Sequence, residues 1–354
     1  MSSLQVNRRV PYVRLGKSGL KVSQIILGCM SYGTPEWQPW VLGEKEAIEQ
    51  IKFAYESGIQ TFDTADIYSN GYSEIVLGKA IKELQLPRDE IVVMTKLWGV
   101  VSRTPGVLSK DLFAVKASEE AGYVNQRGLS RKHIFDSVKQ SLARLQLDYI
   151  DVFQCHRFDR DTPIEETMQA LHDVVQAGYV RYIGMSSCWA YQFHEMQNYA
   201  ITHNLTPFIS MQNQYSLLYR EEEREMMPTL KHFGVGPIPW SPLARGALTR
   251  PLGGERTSRA DNDQLVLPDN YVKTPSSQEV VRRVEELAMK YGVSMARISL
   301  AWVLSKDVVA APIVGTTSVE KLKDLLGALD LKLTEEEIQY LEEAYKPVPV
   351  IGHM

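Results

Sequence analysis

Asp63, Tyr68, Lys96 and His156 are side chains whose types suit proton transfer to a carbonyl oxygen. Free tyrosine has a pKa of about 10, so it is a poor acid at neutral pH. A buried lysine ammonium beside the phenol would stabilise the phenolate, and an aspartate paired with that lysine would hold the charge in place. His156 would then hydrogen-bond a substrate oxygen. Together the four side chains would form a proton donor and a polar wall for a carbonyl group.

Each of these four residues also has a purely structural explanation. Asp63 would cap a helix, Lys96 would be a solvated loop cation, His156 a polar core residue and Tyr68 a packing aromatic. For any one residue the structural explanation is at least as good, whereas the four together favour a site. The sequence contains no G-x-S-x-G elbow and no His, Cys and carboxylate residues at zinc-binding spacing, so it predicts no metal site.

A carbonyl that accepts a proton also needs a hydride source. The sequence has neither G-x-G-x-x-G after a strand nor G-x-x-x-x-G-K-[ST], so it supports neither a Rossmann nor a P-loop nucleotide site. Instead, an apolar run leads into residues 312–318, PIVGTTS, and a helical pattern follows at once. Glycine and hydroxyl groups at a helix N-terminus form an anion site, and Lys321, one turn further on, adds a cation suited to an extra phosphate. The alternative is an ordinary capped helix start.

Short apolar runs that alternate with amphipathic segments would position these residues. The predicted strands are 23–29, 59–63, 91–96, 149–155, 180–184, 208–211, 236–240 and 308–313, and the predicted helices are 45–57, 72–84, 131–145, 164–175, 191–203, 222–233, 278–291 and 319–328. Eight such units without a break in composition favour an α/β fold, a (β/α)8 TIM barrel forming one domain over residues 1–354, rather than a doubly wound open sheet. In such a barrel the C-terminal ends of the strands converge, so Asp63, Lys96 and His156 would meet in one cleft.

Four segments lie outside this repeat. Residues 14–22 predict an N-terminal hairpin that plugs the lower end of the barrel, and residues 334–345 predict a C-terminal helix with a capping box. Residues 98–129 and 245–278 are long inserts in strand-to-helix loops, and loops of this length over the active face are usually functional. Within the first insert, Trp98, Phe113 and Tyr123 would either line an aromatic pocket or anchor a long loop.

Charge and composition narrow the partners of the chain. The 354 residues include 39 Lys and Arg against 43 Asp and Glu, a net charge of −4, so nucleic-acid binding is not expected. No apolar stretch approaches the roughly 20 residues of a membrane-spanning helix, and no secretory signal is visible. Three cysteines without metal-like spacing are expected to be free thiols. We therefore expect a cytoplasmic protein whose partner is a small-molecule carbonyl or alcohol; the oligomeric state is left open.

Five motifs resemble the aldo-keto reductase superfamily over nearly the whole chain: GIQTFDTADIYSNGYSE, VVMTKLWG, DVFQCHRFD, GYVRYIGMSS and PWSPLARGALT. The greatest resemblance is to the fungal aryl-alcohol dehydrogenase-like subgroup, which is itself similar to potassium channel β-subunits. This resemblance implies a catalytic tetrad of Asp63, Tyr68, Lys96 and His156, with Tyr68 as the general acid.

The resemblance also implies NADP(H) as the cofactor, bound extended across the mouth of the barrel. Ser186, Ser187 and Gln212 would hold the nicotinamide amide, with Asp63 beside them, and Trp240 would stack on the ring. The remaining cofactor residues implied are Ser241, Pro242, Leu243, Ala244 and Arg245 at the pyrophosphate, and Gly315, Thr317, Lys321, Asp324 and Arg259 at the adenosine end. Ser187 and Leu325 stand where many relatives have Asn, and Lys321 stands where Arg or Gln is frequent.

The function expected from these residues is NADPH-dependent reduction of aldehydes or ketones, with aryl or aliphatic aldehydes as substrates. One alternative is a regulatory module like the channel β-subunits, but Asn is usual there at the position of His156. The other is a barrel of the class I aldolase type with Lys96 as a Schiff-base nucleophile. A lysine held as the charged partner of Asp63 is a poor nucleophile, so this alternative ranks last.

Overall fold

A computed structural model describes residues 10–108, 111, 115–255, 257–263 and 268–353 of the chain. Its strands are β1 (Tyr12–Arg14), β2 (Lys21–Ser23), β3 (Ile26–Gly28), β4 (Thr61–Asp63), β5 (Val92–Leu97), β6 (Ile150–Cys155), β7 (Val180–Ser186), β8 (Phe208–Gln212), β9 (Gly236–Pro237) and β10 (Ile313–Val314). Its helices are α1 (Glu44–Glu56), α2 (Tyr72–Glu83), α3 (Val115–Glu120), α4 (Arg131–Leu145), α5 (Ile164–Gln176), α6 (Ala190–Thr202), α7 (Met226–Phe233), α8 (Ser258–Asn262), α9 (Pro275–Tyr291), α10 (Met295–Leu304), α11 (Val319–Leu326) and α12 (Glu335–Glu343).

Strands β3 to β10 form one parallel sheet of eight strands in the order β10-β3-β4-β5-β6-β7-β8-β9. Backbone hydrogen bonds join its two outer strands: Ala310 N donates to Pro237 O at 2.9 Å, and Ile313 N donates to Pro239 O, also at 2.9 Å. These bonds close the sheet, which confirms the predicted (β/α)8 barrel. The carboxyl ends of all the strands therefore lie at one mouth.

The interior of the barrel changes from apolar to polar along each strand. Residues two apart point to the same face of a strand. On β5 the inward residues Val92 and Met94 belong to an apolar cluster with Leu15 and Val22 of the β1–β2 hairpin, which packs there as the predicted plug. The next inward residue of β5 is Lys96, which pairs in register with Gln154 of β6. The polar layer therefore lies one step above the apolar one, towards the mouth.

The structure differs from the predicted elements in the C-terminal part of the barrel. Helix α10 was not predicted, because its residues are buried almost all round and leave no polar face to produce a periodic pattern. The last strand was predicted at 308–313 but comprises Ile313–Val314, and the strand predicted at 236–240 ends at Pro237. Proline and irregular backbone interrupt these two apolar runs. The strands predicted at 23–29 and 59–63 were also too long, because they comprise only Ile26–Gly28 and Thr61–Asp63.

Candidate active site

A buried ion pair lies at the centre of the polar layer. Lys96 Nζ lies 2.6 Å from Asp63 Oδ2 and donates to the carbonyl oxygen of Thr64 at 2.7 Å. The other carboxylate oxygen, Asp63 Oδ1, accepts from Gln154 Nε2 at 3.0 Å and from Gln212 Nε2 at 2.9 Å. Charges this deeply buried are tolerated only when paired and hydrogen-bonded, and these contacts supply both conditions.

Electrostatics keep Lys96 in its ammonium form. Burial opposes the charge, but the attraction of Asp63 and then of Tyr68 outweighs it, so the pKa of Lys96 is raised. Lys96 Nζ lies 3.4 Å from the hydroxyl oxygen of Tyr68, to which it donates. A positive charge at this distance favours the phenolate that remains after Tyr68 gives up its proton.

The imidazole of His156 lies beside Tyr68. The two rings meet edge to face, with their centroids 5.8 Å apart. Burial, followed by the positive charges of Arg157 and Lys96, lowers the pKa of His156 well below its usual value. His156 is therefore a neutral imidazole at neutral pH, which suits a hydrogen-bonding partner better than an ion pair. Its Nδ1 atom is buried and has no hydrogen-bond partner within the described residues.

Local backbone geometry presents Tyr68 at the end of β4. Ser69 and Asn70 both have positive φ values, 49° and 50°, and the chain turns through Gly71 into α2. Non-glycine residues with left-handed backbone are uncommon and cluster at functional sites. Asn70 has a second role, because its side-chain amide donates to the carbonyl oxygens of Thr104, Pro105 and Val107 and thereby ties the 98–129 insert to this turn.

A cavity of about 1170 Å³ opens at the mouth of the barrel directly over these groups. Of the tetrad, Asp63, Tyr68 and His156 line its wall, and Lys96 lies beneath them. The volume exceeds the roughly 300–1,000 Å³ of an ordinary small-molecule pocket, which leaves room for an extended dinucleotide and a small substrate together.

Most of the residues expected at the cofactor line the same cavity: Ser186, Gln212, Trp240, Ser241, Pro242, Leu243, Arg245, Arg259, Gly315, Thr317, Lys321 and Asp324. Two of the expected residues do not. Ser187 instead accepts a hydrogen bond from Trp240 Nε1 at 3.1 Å, which orients the indole ring. Ala244 is fully buried and continues the turn that carries Arg245.

The loop after β9 is strained and carries an unsatisfied donor. Ser241, Ala244 and Arg245 have φ values of 52°, 48° and 55°. Arg245 and Arg259 both pair with the buried carboxylate of Asp263, each at 3.1 Å, so the group keeps a net positive charge. Arg245 Nε is buried without a hydrogen-bond partner in the described chain. An orphaned donor and excess positive charge suit the pyrophosphate of a dinucleotide.

The start of α11 offers the features of a second anion site. Ser318 caps the helix by accepting from Lys321 N at 3.2 Å, so the predicted capped start is present. Lys321 Nζ is exposed and donates to Thr317 Oγ1 at 3.3 Å. Asp324, by contrast, is already engaged, because it accepts from Ser294 Oγ and lies 2.8 Å from Arg297.

Sequence reasoning missed several residues of the cavity wall. Trp37 and Trp40 line it from the loop between β3 and α1, where the run PEWQPW was the available signal. Arg259 stacks over Trp40, with its guanidinium carbon 4.3 Å from the ring centroid, so this loop meets the second insert across the cavity. Arg157, Ile351 and Gly352 were also missed. The C-terminal tail is far from the barrel loops in sequence, so no local pattern points to it.

The aromatic residues of the first insert have different roles. Trp98 lines the cavity. Tyr123 anchors the loop instead, because its hydroxyl accepts from Arg103 N at 3.0 Å and its ring lies under the Arg103 guanidinium. Phe113 lies outside the described residues.

Comparison with known proteins decides the family. The model of the aldo/keto reductase family matches residues 24–346. The chain belongs to the aldo/keto reductase family. It is 48% identical to versiconal hemiacetal acetate reductase of Aspergillus parasiticus, covering 95% of this chain and 97% of that protein. It is 50% identical to a putative aryl-alcohol dehydrogenase of Schizosaccharomyces pombe, covering 97% and 98% of the two chains, and 46% identical to one of Saccharomyces cerevisiae, covering 96% and 98%.

The predicted resemblance is therefore confirmed, and this aldo/keto reductase is an oxidoreductase of carbonyl and alcohol groups that uses a nicotinamide nucleotide. In the part of the chain that the structure describes, no His, Cys, Asp and Glu residues are grouped so as to hold a metal ion. The helices described there include none that combines the length and the apolar character needed to cross a membrane. Cys29, Cys155 and Cys188 are buried free thiols.

Proposed function

We propose that this aldo/keto reductase uses NADPH to reduce aldehydes and ketones to alcohols, with Tyr68 as the general acid. The observation that carries the proposal is the hydroxyl of Tyr68 in the cavity wall, 3.4 Å from a lysine ammonium that Asp63 holds in place. The relatives include a hemiacetal acetate reductase and aryl-alcohol dehydrogenases, so aryl or aliphatic aldehydes are the substrates we expect.

The nicotinamide, when bound, supplies the hydride. Ser186 and Gln212 would hold its amide, and Trp240, oriented by Ser187, would stack on the ring. His156, neutral because of its burial and its cationic neighbours, would hydrogen-bond the carbonyl oxygen. Tyr68 would then donate its proton to that oxygen, and the charge of Lys96 would stabilise the phenolate left behind.

The preference for NADPH over NADH rests on the charges at the adenosine end. Lys321 is exposed at the first turn of α11, where an additional phosphate would meet both its ammonium and the helix N-terminus. The excess positive charge of Arg245 and Arg259 over Asp263 would meet the pyrophosphate, which both nucleotides carry, so the preference depends on Lys321.

The two alternative functions have less support. A Schiff-base mechanism needs a neutral amine, whereas the pKa of Lys96 is raised by Asp63 and Tyr68 despite burial. A purely regulatory role would not need the Tyr68–His156 pair at the cavity wall. We further propose a cytoplasmic enzyme in one domain, whose partner is a small carbonyl or alcohol molecule rather than nucleic acid or membrane.

The direct test is consumption of NADPH, followed by its absorbance, with a panel of aromatic and aliphatic aldehydes and ketones. We expect turnover with at least the aromatic aldehydes, and a lower kcat/KM when NADH replaces NADPH. The absence of turnover with every carbonyl compound and both nucleotides would contradict the proposed reaction. Equal kcat/KM values for the two nucleotides would contradict only the preference.

A further inference from the structure

Arg157 is a half-buried cation in the cavity wall, and no carboxylate of the described residues pairs with it. Its guanidinium donates to one acceptor among the described residues, the carbonyl oxygen of His156, at 2.5 Å. Of the other guanidinium groups in the cavity wall, those of Arg245 and Arg259 share the carboxylate of Asp263, and that of Arg250 donates to Thr257 Oγ1 at 3.4 Å. No ion pair of this kind reaches Arg157 in the described chain. A charge left unpaired in a low-dielectric site is costly unless a ligand neutralises it.

The surroundings of Arg157 place it close to the reacting groups. It follows His156 directly in the chain and lines the same cavity as Tyr68. A Cβ atom added to Gly352 would lie 3.8 Å from Arg157 Nη2, 3.7 Å from Ser187 Oγ and 3.6 Å from Trp240 Cζ2. The guanidinium and the ring of Trp240, which is expected to stack on the nicotinamide, therefore flank the same residue of the C-terminal tail, Gly352.

The electrostatics agree with this placement. Burial lowers the pKa of Arg157 to about 10, and the strongest attraction that opposes this comes from Tyr68. Arg245 lowers it further by repulsion. Arg157 nevertheless stays charged at neutral pH, so the cavity presents a cation beside its proton donor.

We infer that Arg157 receives a carboxylate of the substrate, so that the preferred substrates are carbonyl compounds that carry a carboxylate group. This inference rests on the proposed function, because it names the substrate class of that same site. A guanidinium offers a planar fork of donors that matches a carboxylate in two parallel hydrogen bonds. The apolar part of the cavity wall, which includes Trp37, Trp40 and Trp98, would cover the apolar part of the substrate.

The phosphates of the cofactor are a less suitable partner for Arg157. The cations suited to them lie on other loops: Arg245 follows β9, Arg259 is on α8, and Lys321 is on α11. Arg157 instead follows β6 and the tetrad residue His156.

The test compares matched anionic and neutral aldehydes: 3- and 4-formylbenzoate, each against its methyl ester. We expect the wild type to show a higher kcat/KM for at least one carboxylate than for its ester. Arg157→Gln should lower this ratio about 10- to 100-fold, as expected for the loss of a charged hydrogen-bonded pair, and Arg157→Lys should retain part of it. The matched control is Arg160→Gln, an exposed arginine of the same loop, which should leave the ratio unchanged.

A second readout does not depend on turnover. Calorimetric titration of benzoate into the enzyme saturated with NADP+ should give a Kd that Arg157→Gln raises at least tenfold and Arg160→Gln does not change. If the esters are reduced and Arg157→Gln leaves the ratio of kcat/KM between carboxylate and ester unchanged, the inference is overturned and the proposed function stays intact. A loss of NADPH affinity in Arg157→Gln with no change in the ratio or in benzoate binding would assign this residue to the cofactor and also overturn it. If no aldehyde is reduced, the proposed function fails, and benzoate binding still decides the role of Arg157.

Discussion

Among single residues, the candidate site depends on two buried charges, those of Asp63 and Lys96, which the interior tolerates because each charge has hydrogen-bond partners. Asp63 accepts from Lys96, Gln154 and Gln212, so both carboxylate oxygens are satisfied. Removing either member of such a pair leaves the other charge unpaired in a low-dielectric interior. The buried pair therefore serves mainly to orient the Lys96 ammonium next to the Tyr68 hydroxyl, rather than to stabilise the fold.

Asp66, between Asp63 and Tyr68 in the chain, is a buried carboxyl of the opposite kind. Its Oδ2 accepts from Ser137 Oγ at 3.2 Å, and its Oδ1 has no partner within the described residues. Burial, and secondly the charge of Glu74, raise the pKa of Asp66 to about 8. The native state thus holds a proton that the unfolded chain, with a pKa near 3.9, has lost.

We therefore predict that Asp66→Asn changes the pH dependence of stability. A carboxyl whose pKa is raised in the native state contributes stability at low pH and loses it as the pH rises towards 8. Relative to the wild type, Asp66→Asn should gain about 3–4 kcal/mol in the free energy of unfolding between pH 5 and pH 8. Urea titrations of both proteins at the two pH values measure this gain. A difference between the proteins that is the same at both pH values would contradict the prediction.

At the scale of elements, the loops after the strands determine which groups face the cavity. The turn through Ser69 and Asn70 presents Tyr68 and also carries the first insert, through three hydrogen bonds from one side-chain amide. The acceptor Asn70 Oδ1 adds a fourth bond, from Ser102 N at 3.2 Å. One residue thus couples the position of the proton donor to that of the insert.

Replacing Asn70 should loosen the insert without weakening cofactor binding. Asn70→Gly keeps the left-handed backbone but removes the anchor, and we expect it to lower the free energy of unfolding by about 1–3 kcal/mol. Asn70→Ala should lose roughly 1 kcal/mol more, because alanine disfavours a φ of 50°. In both variants, the KM for aldehydes should change while the Kd for NADPH stays within about twofold. Urea titration measures the free energy of unfolding, and fluorescence titration measures the Kd for NADPH. Equal stability of the wild type and Asn70→Gly would show that Asn70 does not anchor the insert.

We expect helix α11 to bind the additional phosphate that distinguishes NADPH from NADH. Lys321→Ala should weaken NADPH binding about 5- to 50-fold and leave NADH binding unchanged, because only NADPH carries the phosphate that this ammonium would meet. Lys323→Ala is the matched control, since Lys323 is exposed on the same helix but does not line the cavity. Quenching of tryptophan fluorescence by each nucleotide measures both Kd values. Equal losses for NADPH and NADH would remove the case for Lys321.

At the scale of the whole molecule, the closed parallel barrel explains which parts of the site could be predicted. Asp63, Lys96 and His156 are distant in sequence, but each ends or follows a strand, and parallel strands end at one mouth. The contributions of Trp37, Trp40 and the tail at Ile351 depend on how loops fold over that mouth, which no local periodicity encodes. Helix α10 was missed for a related reason, because a helix buried on all sides has no amphipathic pattern.

The difference between lining residues and supporting residues also appears only in three dimensions. Ser187 and Ala244 lie within motifs that we associated with the cofactor, yet the first orients Trp240 and the second is fully buried in a turn. A motif thus identifies the loop, but it does not show which side chains of that loop face the cavity.

In the proposed reaction, Tyr68 gives its proton to the substrate oxygen. A single-turnover stopped-flow experiment with the Tyr68→Phe variant loaded with NADPH tests it most directly, because it separates hydride transfer from product release. We predict that the rate of NADPH oxidation by a reactive aromatic aldehyde falls about 10²- to 10⁴-fold, while the Kd for NADPH stays within about twofold of the wild type. A Tyr68→Phe rate close to that of the wild type would contradict the role of Tyr68 as the general acid.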